Sequence, residues 1–176
     1  MQLKPLDSPQ LVQLATGWLS QKENYQWLDF GDGRQQVSPE WLKIATQRGT
    51  LFLRVITADD EVPIGVVGLS NVNRNFKTAN FLIVIGERAY AKQGYATRAG
   101  LEMLTIGFRD LGLQSIHTWI VEGNHSVHLA RNLNFKPIGR QRQCHYIDGR
   151  PYDRLWYDVL ASEHEERKDV RRQQIA

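Results

Sequence analysis

The feature that most constrains this chain is a junction near its middle. The apolar run Phe81-Leu82-Ile83-Val84-Ile85 leads, through a charged connector, into Gly94-Tyr95-Ala96-Thr97-Arg98-Ala99 and then a long amphipathic segment. A short apolar run bounded by polar residues reads as a buried strand. From Tyr95 to Leu111, residues Leu101, Leu104, Phe108 and Leu111 recur at steps of three and four, and Gly112 is a natural stop. The chain must therefore pass from a buried strand through a small-residue turn into a helix packed on the sheet.

The segments around this junction extend the pattern. Leu3–Leu6 reads as a short strand, and Ser8-Pro9 as the start of a helix whose apolar face is Leu11, Leu14, Ala15, Trp18 and Leu19. An aromatic loop, Asn24–Gly33, follows. Ser38-Pro39-Glu40-Trp41 starts another helix that ends at Gly49. Leu51–Ile56, Val62–Val72 and Thr78–Gly86 alternate with turns as an antiparallel meander. Beyond Gly112, Ser115–Val121 is a strand, Asn124–Leu133 a helix and Phe135–Tyr146 a strand. Asp148-Gly149 is a hairpin turn, and Tyr152–Leu160 is the last strand.

Composition bounds the function classes. With 176 residues and no internal repeat or low-complexity linker, the chain reads as one domain over residues 1–162, followed by an exposed basic tail, 163–176. At 41% hydrophobic and 23% charged it has the balance of a soluble globular protein. No apolar run approaches a membrane span, and Met1–Asp7 lacks an apolar signal core, so a cytoplasmic location is expected. Cys144 is the sole cysteine and the five histidines lack ligand spacing, so neither a disulfide nor a metal site is expected. The net charge of +3 is concentrated late, in Arg140, Arg142, Arg150, Arg154 and the Arg167–Arg172 run. A solvated terminus is a plainer reading of that run than a nucleic-acid contact.

The turn into the long helix has its own chemistry. The first N–H groups of a helix lack internal acceptors and face the positive end of its dipole. Gly94 allows a phosphate to approach them, Ala96 and Thr97 keep the entrance small, and Lys92 and Arg98 add positive charge. The stretch is neither a Gly-x-Gly-x-x-Gly fingerprint nor a Walker loop.

Gly94-Tyr95-Ala96-Thr97-Arg98-Ala99 resembles the pyrophosphate loop of GNAT-type N-acetyltransferases, most closely the branch of ribosomal-protein N-terminal and amino-sugar acetyltransferases. Pro63-Ile64-Gly65, Asn124-His125-Ser126 through Leu133-Asn134-Phe135, and Asp148–Asp153 with Trp156-Tyr157 resemble other family pieces, in the family's order. The resemblance implies an α/β (α+β) fold: a mixed, mostly antiparallel sheet of six to seven strands with about four flanking helices. It implies acetyl-CoA as cosubstrate, no metal, and direct attack by a primary amine in a ternary complex. The implied cofactor-binding residues are Ile85, Gly86, Lys92, Gln93, Gly94, Tyr95, Ala96, Thr97, Asn124 and Ser126, with Gly86 at a strand bulge. Glu87 is the implied general base, against the plainer reading of a solvated carboxylate.

The acceptor is expected against Trp27, Phe30, His145 and Tyr146, flanked by the arginine-rich hairpin. It is read as a small amine, such as an amino sugar or antibiotic-like metabolite; the alternatives are a peptide N-terminus or silent acyl-CoA binding. Membrane partners are not expected, and a homodimer is possible. Three departures stand out: Ala91 and Lys92 replace the loop's usual residues, Asn134 replaces a glycine, and Ala130 occupies the place of a tyrosine acid.

Overall fold

The computed structural model describes residues 1–31 and 36–165. The elements run β1 (Gln2–Pro5), α1 (Pro9–Leu19), α2 (Lys22–Tyr25), α3 (Pro39–Gln47), β2 (Leu51–Thr57), β3 (Pro63–Asn73), β4 (Thr78–Ile85), α4 (Tyr95–Thr105), β5 (Ser115–Val121), α5 (Val127–Asn132), β6 (Lys136–Ile147) and β7 (Arg150–Leu160). Each predicted strand forms. Ser8 and Ser38 both cap their helices, accepting from the N–H groups of Leu11 and Trp41, with proline at the first turn.

The strands make one seven-stranded sheet ordered β1-β2-β3-β4-β5-β7-β6. Every pairing is antiparallel except β4 with β5, where the crossover through α4 makes the pair parallel. α4 and α5 cover one face over a core that includes Leu69, Phe81, Met103, Leu104 and Ile116. α1 and α3 cover the other, over Trp18, Leu42, Leu53, Val66 and Val84. Because strand side chains alternate, Phe81, Ile83 and Ile85 face α4 and α5, while Leu82 and Val84 face α1.

Three local readings change. The aromatic loop holds a short helix, α2, before Trp27, and Gly33 lies outside the described residues. The long helix keeps its boundary at Gly112 (φ +67°), but Ile106–Asp110 widens into a π turn closed by Leu111 N–H to Ile106 O at 3.0 Å. There a side chain on Gly107 would meet Ile116. α5 begins at Val127 rather than Asn124. The first residues of the segment read as a tail make contacts with the domain. Glu163 is ion-paired with Lys136, and His164 hydrogen-bonds Thr105 and stacks near Phe108. The rest of that segment, from 166, lies outside the described residues.

Candidate active site

The site arises where the parallel pair comes apart. β4 and β5 pair only from Thr78↔Ser115 to Asn80↔His117. One step on, the Thr118 hydroxyl donates to the Phe81 carbonyl at 3.1 Å, a side chain standing in for the next ladder bond. Beyond it the strands diverge around a cleft of about 280 Å³ that runs from the α2 loop to α5. Backbone polar groups alternate sides along a strand. The Phe81 carbonyl faces β5, so the amide groups of Ile83 and Ile85 face the same way, toward the cleft.

The bulge expected at Gly86 is present: the N–H groups of Gly86 and Glu87 both donate to the Ile64 carbonyl, at 2.8 and 3.0 Å. The Gly86 amide is committed to β3, and a Cβ there would lie 2.1 Å from the Trp18 ring, so its smallness serves packing. The bulge also re-aims Glu87. Its Oε1 accepts from the Trp18 indole N–H at 2.9 Å, and its exposed carboxylate borders a shallow depression along α1 rather than the cleft.

At the other end, Ala91–Gly94 is exposed and Gly94 (φ +83°) is the N-cap of α4, with no side-chain cap over the first helical amides. Lys92 is exposed in a left-handed conformation (φ +60°), and the Gln93 amide donates to the Ala89 carbonyl. Ala96 and Thr97 are half-buried at the helix entrance. The Tyr95 side chain is buried in the α4-side core, its hydroxyl near Asp59, while its backbone opens the helix. The Arg98 guanidinium makes a two-point pair with Asp59 at 2.8 and 2.9 Å, so its charge is shared. That guanidinium, and the chain's amino terminus after it, holds the Asp59 carboxyl far below the usual carboxylate range.

Asn124 and Ser126 border the cleft just before α5 and are joined by a 2.9 Å bond from Ser126 N–H to Asn124 Oδ1. Ala130 also lines it, buried, and offers no hydroxyl.

The opposite wall is a network tying the α2 loop to the terminal hairpin. Trp27, Asp29 and Phe30 line the cleft, and Phe30 packs edge-on against Trp41 at 5.6 Å. Arg154 donates to Asp29 at 3.0 Å and to His145 Nδ1 at 3.0 Å, with its guanidinium 3.9 Å over the Trp119 ring. His145 Nε2 meets the Gln26 carbonyl at 2.7 Å. A carbonyl can only accept, so Nε2 carries the proton and Nδ1 accepts from Arg154. Burial pushes the imidazole below its ordinary pKa; the Gln26 bond opposes this and Arg154 adds to it.

His145 thus holds the wall together from behind, and Tyr146, 63% exposed, does not line the cleft. Of the four hairpin arginines, only Arg154 joins the cleft wall; Arg140 pairs with Glu122 and Asp153. Asp29, Asn80, Thr118 and Trp119 line the cleft without having been singled out from the sequence. Asn80 had a signal: it is the one polar side chain in Ala79-Asn80-Phe81-Leu82-Ile83-Val84-Ile85. Among the described residues no histidine, cysteine or carboxylate group could hold a metal, and no helix is long and apolar enough to cross a membrane.

The comparisons with known proteins agree with this geometry. Residues 1–136 match the model of the acetyltransferase (GNAT) domain. The putative ribosomal N-acetyltransferase YdaF of Bacillus subtilis is 23% identical over 174 residues, covering 94% of this chain and 92% of its own. The spermidine N-acetyltransferase of Vibrio cholerae in complex with CoA and spermine superposes with a TM-score of 0.79 at 20% identity, covering 93% of this chain and 96% of that one. A dodecameric structure of the spermidine N-acetyltransferase from Vibrio cholerae, in an intermediate state, gives 0.78 at 20% identity, covering 96% and 98%. The chain belongs to the GNAT acetyltransferase family. It is an N-acetyltransferase by class.

Proposed function

We propose that the chain transfers the acetyl group of acetyl-CoA to a small primary amine, directly, within a ternary complex. The observation that carries this is the opening of β4 from β5 beyond Asn80, which leaves the Ile83 and Ile85 amides facing the cleft. Pantetheine, which carries amides of its own, would pair with that open edge. Its pyrophosphate would lie on the uncapped amides at Gly94–Thr97, beside Lys92 and Gln93, with Asn124 and Ser126 near the α5 end. The CoA complex of the Vibrio cholerae structural neighbour supports the choice of cosubstrate. The acetyl group would then point toward Trp27, Asp29 and Phe30, where the acceptor enters.

The chemistry is balanced without a metal. A neutral amine attacks the thioester carbon, the C–S bond breaks, and the proton released by the new amide ends on the departing CoA sulfur. With Ala130 buried at the α5 wall, that proton would travel through water, with the Ser126 hydroxyl bordering the cleft on that side. A lining with Asp29 as its one ionisable side chain among the described residues, and that carboxylate paired with Arg154, favours the neutral, nucleophilic form of the amine, since an ammonium loses hydration on entry.

A peptide N-terminus is the second reading, supported by the name of the Bacillus subtilis relative. The cleft, at about 280 Å³, favours a small acceptor over a peptide. The paired state of Arg140 and Arg154 weighs against a phosphate-bearing sugar.

Calorimetry with acetyl-CoA tests the reading. Micromolar binding is expected, together with loss of at least about a hundredfold in Gly94→Trp, whose bulk and strained φ would block the amides. Unchanged affinity in a folded Gly94→Trp protein would remove the turn from the cofactor site.

A further inference from the structure

We infer that the acceptor is a monoamine with an apolar, aromatic or aliphatic body rather than a polycation, and that Asn80 receives its N–H; this rests on the acetyl-transfer reading above.

The first ground is charge. Among the described residues bordering the cleft, Asp29 is the single ionisable side chain. Both of its oxygens are engaged: Oδ1 accepts from Gly31 N–H at 2.9 Å and Oδ2 from Arg154 at 3.0 Å. The two side chains are only 14% and 21% exposed. A second or third ammonium would lose its hydration here and meet, in exchange, a carboxylate whose charge Arg154 already balances. An apolar body meets Trp27, Phe30, Leu82 and Val84 instead.

The second ground is an unpaired atom. Asn80 is 8% exposed and borders the cleft. It shares a strand face with Leu82 and Val84, the side on which the α2 loop closes the cleft. Its Nδ2 donates to Ser70 Oγ at 3.2 Å, and Ser70 Oγ in turn donates to the Asn80 carbonyl. That arrangement leaves Oδ1 as the free end of the amide, buried and without a partner. An unsatisfied buried acceptor costs about 1–3 kcal/mol, and at the cleft floor a bound donor would relieve that cost. An amine N–H is such a donor. A neutral amide oxygen accepts it without the charge by which a carboxylate would hold the amine protonated and unreactive.

The test uses the full chain with acetyl-CoA, 2-phenylethylamine and spermidine. Thiol release gives kcat/KM, and quenching of tryptophan fluorescence gives acceptor binding with CoA present. The wild type is expected to prefer phenylethylamine by at least about tenfold. Asn80→Leu should lower kcat/KM for phenylethylamine by about tenfold, with acetyl-CoA affinity unchanged as the measure of an intact fold. Asn80→Asp should move the ratio toward spermidine. Equal or better use of spermidine by the wild type overturns the inference, as does acetyl-CoA binding with neither amine bound. Variants that bind acetyl-CoA but leave both amines unaffected overturn the part assigned to Asn80. Absence of acetyl-CoA binding in the wild type overturns the acetyl-transfer reading itself.

Discussion

At the scale of single residues, the site is set by what each side chain is prevented from doing. Gly86 touches Trp18 so closely that Gly86→Ala must displace a buried ring, and urea denaturation should register a loss of about 1–3 kcal/mol. Glu87 tests the difference between proximity in sequence and position in space. In Glu87→Gln the amide oxygen can still accept from Trp18, so the acid limb of the kcat profile should stay where it is. A shifted limb would return Glu87 to the role of base. Neither contact was legible from the residues alone. A glycine before a glutamate at a strand end carries no sign of a tryptophan from a helix far upstream.

At the scale of elements, the α2 loop and the β6–β7 hairpin are joined by His145, Arg154 and Asp29 across two distant parts of the chain. Replacing Arg154 with Met keeps volume but leaves Asp29 and His145 without their shared donor. Acceptor KM should then rise more than kcat falls, because the wall loosens while the backbone edge of β4 stays in place. The same network responds to pH. Burial lowers the His145 pKa in the folded state, and His117 is lowered for the same reason. The unfolded chain therefore binds protons first. This contribution to stability is complete above the ordinary histidine value of about 6.5 and declines as pH falls through and below it. Thermal melts at stepped pH should show that decline, and His145→Gln should flatten part of it. Histidine and arginine were visible near the hairpin in the sequence. Their partnership with Asp29 was not, since pairing depends on the two extra residues that β6 carries between Gln141 and His145.

At the scale of the whole molecule, the architecture places a cleft at the one parallel step of an otherwise antiparallel sheet. In the proposed reaction the diverging strands would take cofactor from the α4–α5 side and acceptor from the α1–α2 side, so the two substrates would not compete for one opening. Removing residues 166–176 should leave acetyl-CoA affinity unchanged, since the cleft and the turn at Gly94 are built from residues before them. Weakened binding measured by calorimetry would bring the basic run into the cofactor site.

What the sequence by itself determined is local and periodic. Alternating apolar runs made strands, three-and-four spacing made helices, Ser-Pro pairs started them, and Gly94 set the start of α4. These outcomes depend on neighbours within a few residues, and so does the order of motifs that carries the family resemblance. Tertiary structure decided which of the marked residues reach the cleft. It turned Glu87 toward Trp18, buried Tyr95 beneath α4, left Tyr146 in solvent and set Asn80 on the cleft floor. The reason is physical. A side chain's direction at a bulge, and the partner it finds across a sheet, are fixed by packing among segments far apart in the chain, and one inserted residue is enough to change both.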